Sequence, residues 1–173
     1  MSGTTATSLT VSWSVPRAAD PAATATVTVD GREVATGQPE NGSTTATGLT
    51  PGADHTITVT LTNAAGTASA TATAATLPQV SLTLADCTGK EAGYAAGCRT
   101  YSLTAQSWPA SLGSMTCTVA SDLTDPANPN RPLTAPAVTL TGTSPVPSGI
   151  AVGYTTQGAL DAHAAELVTC TGP

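Results

Sequence analysis

The sequence predicts an all-β chain built as two tandem antiparallel β-sandwiches. Three observations lead there. Apolar residues alternate with Thr or Ser at period two over many short runs, the mark of half-buried strands. The runs are separated by turn dipeptides such as Asp30-Gly31 and Pro51-Gly52. Leu77-Pro78 then breaks the pattern near the middle of 173 residues, and a second set of runs follows. Domains of this class are commonly about 100 residues, so the length suits two small modules, 1–77 and 78–173.

In the first module, Leu9, Val11, Trp13 and Val15 alternate with Thr10, Ser12 and Ser14. Ala25, Val27 and Val29 alternate with Thr26 and Thr28, and Asp30-Gly31 leads back through Val34. Asp-Gly between alternating runs predicts a type I′ hairpin turn, because both central residues need positive φ. Thr44 to Leu49 reads as a short strand ending at Pro51-Gly52. His55, Ile57, Val59 and Leu61 then alternate with threonines. Thr67 to Thr76 alternates Ala with Thr or Ser and reads as a weak edge strand.

The second module shows six runs: Val80 to Leu84, Arg99 to Ala105, Ser114 to Ala120, Ala137 to Leu140, Ile150 to Thr155 and Glu166 to Thr171. Asp125 to Pro132 is a Pro/Asn loop. Leu160, Ala164 and Leu167 share a face at helix spacing, which suggests a short helical turn.

Composition narrows function. Apolar residues make up 40% of the chain, yet Phe is absent and aromatics are 3%. A core of Val, Leu, Ile and Ala buries less area per residue, so small modules of this kind need staples. The net charge is −6 with five scattered basic residues, which argues against nucleic-acid binding and against attraction to anionic lipid. No apolar run approaches the roughly 18 residues of a membrane span. The N-terminus lacks a signal-peptide pattern, while the even cysteine count reads as extracellular. The expectation is a piece of a longer exported or surface protein, monomeric, meeting protein or polysaccharide at the cell surface.

The run Ser8-Leu-Thr-Val-Ser-Trp13, the hairpin Val27-Thr-Val-Asp-Gly31, the segment Gly48-Leu-Thr-Pro-Gly52, the strand His55-Thr-Ile-Thr-Val59 and the closing Thr62 to Thr67 resemble a fibronectin type III domain. The resemblance covers about residues 1–77. It implies that Trp13 is the core tryptophan of the second strand and that Leu49 plugs the sandwich end. Two departures stand out: His55 replaces the usual corner tyrosine, whose hydroxyl bonds back to the corner backbone, and the usual first strand is nearly missing, leaving an exposed neighbour edge. An imidazole at the corner either keeps one such bond or leaves the corner looser. The second module resembles the cysteine-bearing immunoglobulin-like domains of actinobacterial surface proteins. It does so through Cys87 and Cys98-Arg-Thr-Tyr, Ser114-Met-Thr-Cys-Thr-Val119, and Leu167-Val-Thr-Cys-Thr-Gly172. Trp108 precedes Cys117, and Val168 stands where that family carries a tyrosine, so the strand order is left open.

Four cysteines permit three pairings. Cys87–Cys98 and Cys117–Cys170 are favoured, the first closing a short Gly-rich loop and the second joining two alternating strands. No Cys-x-x-Cys is present to supply zinc. Asp122, Asp125, Asn128 and Asn130 do not follow the EF-hand spacing. Neither a metal nor a cofactor is expected.

Catalysis needs a nucleophile, a base and an orienting group within reach. Of the two histidines, His55 falls at the structural corner. His163 lies in Asp161-Ala-His-Ala-Ala-Glu166, which reads as a solvated turn. No catalytic residues are expected, and the chain reads as an interaction or spacer module. The competing reading is an accessory module of a secreted polysaccharide-degrading enzyme, as bacterial fibronectin type III domains often are. Tyr94, Tyr101, Trp108 and Tyr154 are the candidates for ligand contact, with core filling as the competing role in a chain lacking Phe. Asn41-Gly-Ser43 is a glycosylation sequon.

Overall fold

The computed structural model describes residues 4–15, 23–86, 98–119, 137–152 and 168–172. The chain is all-β and forms antiparallel sandwiches, with twelve strands among the described residues. It divides into two compact units. The first comprises Met1–Pro78 with Pro109–Leu112, and the second comprises Gln79–Trp108 and Gly113–Pro173.

The first unit holds β1 (Ser8–Trp13), β2 (Thr24–Val29), β3 (Arg32–Pro39), β4 (Gly42–Thr47), β5 (Asp54–Asn63) and β6 (Gly66–Ala75). β1 and β4 pair as a two-stranded sheet, and the other four strands make a sheet of order β3-β2-β5-β6. Alternation sets the core. Leu9, Val11, Val27, Val29, Ala46, Leu49, Ile57 and Ala74 form one buried cluster between the layers, while the threonines between them point outward. A fully buried Leu or Val side chain contributes about 2 kcal/mol, and the alanines in this cluster contribute less.

The β2–β3 turn matches the expectation. Asp30 has φ 51° and Gly31 has φ 77°, the two positive values of a type I′ turn. β6 is an edge strand, as its weak Ala/Thr pattern implied. Leu49 is buried in the core. Trp13 differs from the expectation: it packs against the cluster but stays half-buried. It stands at the last residue of β1, in the narrower of the two sheets.

The second unit holds β7 (Val80–Asp86), β8 (Cys98–Ala105), β9 (Met115–Val119), β10 (Val138–Leu140), β11 (Val146–Val152) and β12 (Val168–Thr171). These strands overlap the six sequence runs. They form two three-stranded sheets, β11-β8-β7 and β10-β9-β12. Leu82 pairs with Leu103 across the first sheet, and Met115 with Leu140 across the second. All four are almost fully buried.

Cys117 and Cys170 are disulfide-bonded, with Cα atoms 4.1 Å apart. They are direct register partners on the adjacent strands β9 and β12. The bridge therefore staples neighbours within one sheet. In antibody domains the conserved bridge crosses between the sheets instead. Cys87 and the side chain of Cys98 lie outside the described residues, as does the helical turn expected over Ala159 to Leu167.

Candidate functional site

The two-stranded sheet of the first unit is narrower than the sheet it covers. Strands lie about 4.8 Å apart, so two strands span roughly half the width of four. The β5–β6 register pairs Ile57 with Ala72, Val59 with Ala70 and Leu61 with Ala68. These six residues line a groove whose other wall is Val11 to Val15 of β1 and its continuation. The cavity is about 480 Å³ and no charged side chain lines it. Ala68, Ala70 and Ala72 are exposed there, and Val59 and Leu61 are only half-buried. Among the described residues β1 pairs with β4 alone, so its opposite edge presents unpaired backbone beside an apolar floor.

Trp13 sits in the middle of the β1 wall of this groove. Its indole Nε1–H donates to the Pro39 carbonyl at 3.1 Å. Gly42, its register partner on β4, is required by this packing, since a Cβ there would lie 2.9 Å from Cζ2 of the ring. Just beyond, the Val15 N–H donates to Asn41 Oδ1 at 2.7 Å, tying the end of β1 to the β3–β4 bend.

At the opposite end of the β5 core stripe sits His55, 3% exposed. Its Nδ1 lies 2.7 Å from Asp30 Oδ2 and its Nε2 lies 3.2 Å from the Thr50 carbonyl. The imidazole thus has both a corner bond to the backbone and a carboxylate partner, one more than expected. Thr76, fully buried, donates its hydroxyl to the same Thr50 carbonyl at 2.6 Å and accepts from the Ala53 N–H at 3.3 Å. The other oxygen of Asp30 accepts from the Thr56 N–H at 2.9 Å. The His55 hydrogen bond, helped by that of Thr56, holds the Asp30 carboxyl below the usual aspartate range. With the ring buried and both its nitrogens engaged, the corner is built for structure.

Of the ligand-contact candidates, Trp108 is half-buried after β8 and has an interaction partner. Tyr94, Tyr154 and the side chain of Tyr101 lie outside the described residues. So do His163 with Asp161 and Glu166, and the oxygen-rich stretch Asp122, Asp125, Asn128 and Asn130. Among the described residues no cluster of His, Cys, Asp and Glu could hold a metal ion. Among them, too, no helix is long and apolar enough to cross a membrane.

The sequence pattern marked the groove residues as strand interior and missed the groove itself. The available signal was a mismatch: an inward stripe of alanines on a strand facing a sheet that has two strands among the described residues.

No family model matches the chain, and no curated protein sequence matches it. Solved structures do match. They include the central fibronectin-III array of RIM-binding protein, at 18% identity and a TM-score of 0.35. That match covers 98% of this chain and 54% of the other, so the chain spans about half the length of that array.

Proposed function

We propose that this chain is a non-catalytic interaction module of a larger exported or surface protein, and that its first unit makes contact through the groove beside β1. The observation that carries this reading is the β1 edge, unpaired among the described residues, alongside an uncharged aliphatic floor. Such an edge supplies unpaired N–H and C=O groups, and the floor supplies places for every second side chain. That combination suits an extended segment of a partner protein with alternating apolar residues, which adds as a strand. Sugars prefer rows of exposed aromatic rings, and the groove has one ring, Trp13, already half-buried and hydrogen-bonded.

The β3-β2-β5-β6 order facing β1-β4 supports a fibronectin type III-like module over residues 1–77. Residues 78–173 form the immunoglobulin-like partner module in this reading. A disulfide persists in oxidising compartments, so the Cys117–Cys170 bridge supports an extracellular setting. The working form is a monomer without cofactor.

Binding assays separate this reading from the carbohydrate one. The purified chain is passed over insoluble cellulose, chitin and xylan, and is probed against arrayed synthetic peptides of alternating apolar and polar residues. Retention by the peptides, abolished by Ala70→Lys in the groove floor, is the expected result. Retention by a polysaccharide with no peptide binding contradicts it, as does turnover of ester, peptide or glycoside substrates that a His163→Ala variant loses.

A further inference from the structure

We infer that Asn41 is a self-modifying residue, converting in the folded protein through a cyclic imide to aspartate and isoaspartate next to the groove-lining residue Val15. The reaction needs an exposed asparagine, a following residue without a side chain, and a turn that lets the next backbone nitrogen reach the side-chain carbonyl carbon. Asn41 is exposed and lies in the bend between β3 and β4, and residue 42 is glycine. That glycine is imposed by packing, because any Cβ would press on the Trp13 ring. The fold therefore places the reactive dipeptide on its own surface.

A third feature favours the chemistry. The Val15 N–H donates to Asn41 Oδ1 at 2.7 Å. When the Gly42 nitrogen attacks Cγ, this is the oxygen on which negative charge develops, and a fixed backbone donor aimed at it stabilises the tetrahedral intermediate. The bookkeeping is redox-neutral. The Gly42 nitrogen loses its proton to solvent base and forms the new C–N bond. The Cγ–Nδ2 bond breaks, and the nitrogen leaves as ammonia after taking a proton from water. Water then opens the imide at either carbonyl, giving aspartate or, with the main chain rerouted through Cγ, isoaspartate.

Both products place a new carboxylate beside Glu40, and isoaspartate lengthens the main chain between β3 and β4. Gly42 then shifts under Trp13, and the Trp13–Gly42 end of the β1–β4 ladder loosens. Val15 lines the groove, so the change falls against its β1 wall.

Asn63 is an internal control. It also sits at a strand end, and its Oδ1 accepts from Ala65 N–H at 2.9 Å and Gly66 N–H at 3.1 Å. It is only half-buried, but Ala64 follows it and brings a Cβ against the attacking nitrogen.

The full chain is incubated at mildly alkaline pH, with samples digested for mass spectrometry and labelled by an isoaspartyl methyltransferase. The expected result is progressive loss of the amide at position 41, faster at higher pH. Isoaspartate appears there while Asn63 stays intact, and methyltransferase labelling is lost in Asn41→Gln. An Asn41 that persists in the folded chain while a synthetic peptide of the same residues converts overturns the inference, as does conversion of Asn63 first.

Discussion

Replacing Cys117 and Cys170 together with alanine lowers the melting transition of the second unit and leaves that of the first unchanged. The bridge closes a sequence separation of 53. In the chain-entropy account a loop of that size stabilises by about 4 kcal/mol, by restricting the unfolded chain. For domains near this size each kcal/mol moves the midpoint by roughly 4–8 °C, so the shift is large. Alanine is the suitable replacement, because Cys117 is fully buried and a serine hydroxyl there would need a partner. The first unit contains no cysteine in Met1–Pro78 or Pro109–Leu112 and serves as the internal reference. Two transitions that fall together, or a second transition that does not move, would show that the staple does not carry the second core.

The second large effect belongs to the corner. His55→Ala removes a buried ring, leaves the Thr50 carbonyl with one donor fewer and frees the Asp30 carboxylate. Cavity and hydrogen-bond losses together are expected to cost the first unit about 2–4 kcal/mol. The same corner gives a pH signature. Asp30 has a folded pKa below its ordinary value of 3.8, first through His55 and then through Thr56. Its contribution is therefore present above the ordinary value and is lost as the pH falls through the lower folded one. The Asp30 side chain is 51% exposed, so solvent screens much of this contribution. Thermal melts of the wild type should weaken below about pH 4, and in His55→Ala that part of the acid limb should flatten. A variant as stable as the wild type at pH 7 would mean that the ring is not structural.

Much of this was legible in the sequence, for local reasons. Period-two alternation marks strands without knowledge of their partners, so β1, β2, β5 and the six strands of the second unit stood out. The Asp30-Gly31 turn was equally plain, because its backbone angles follow from residue type. What depends on register was harder. Asp30 meets His55 because β2 pairs with β5 and Val29 falls opposite Ile57. Nothing in either residue's own neighbourhood announces that meeting. The Asn41 bond to Val15 arises the same way, through β1–β4 pairing across 26 positions. The disulfide was expected between alternating strands, but their adjacency within one sheet needed the ladder β10-β9-β12. The groove was hidden for a further reason: alternation shows that Ala68, Ala70 and Ala72 face inward, and only the sheet widths show that nothing described covers them.

Residue-resolved hydrogen exchange along β1 tests the central claim most directly, because it reads the β1 edge without needing a partner. In an antiparallel pair, alternate amides point toward the neighbour and the others point away. If the edge beside the groove is open, the amides of Leu9 to Trp13 should split into two classes. Those bonded to β4 should be protected like the strands of the four-stranded sheet, and those facing the groove side should exchange rapidly. A matching protection of the second class on adding a bound peptide would place that peptide on the edge. Uniform strong protection of every β1 amide in the isolated chain would contradict the account, because it would mean that the edge is already paired and the groove is not a free surface.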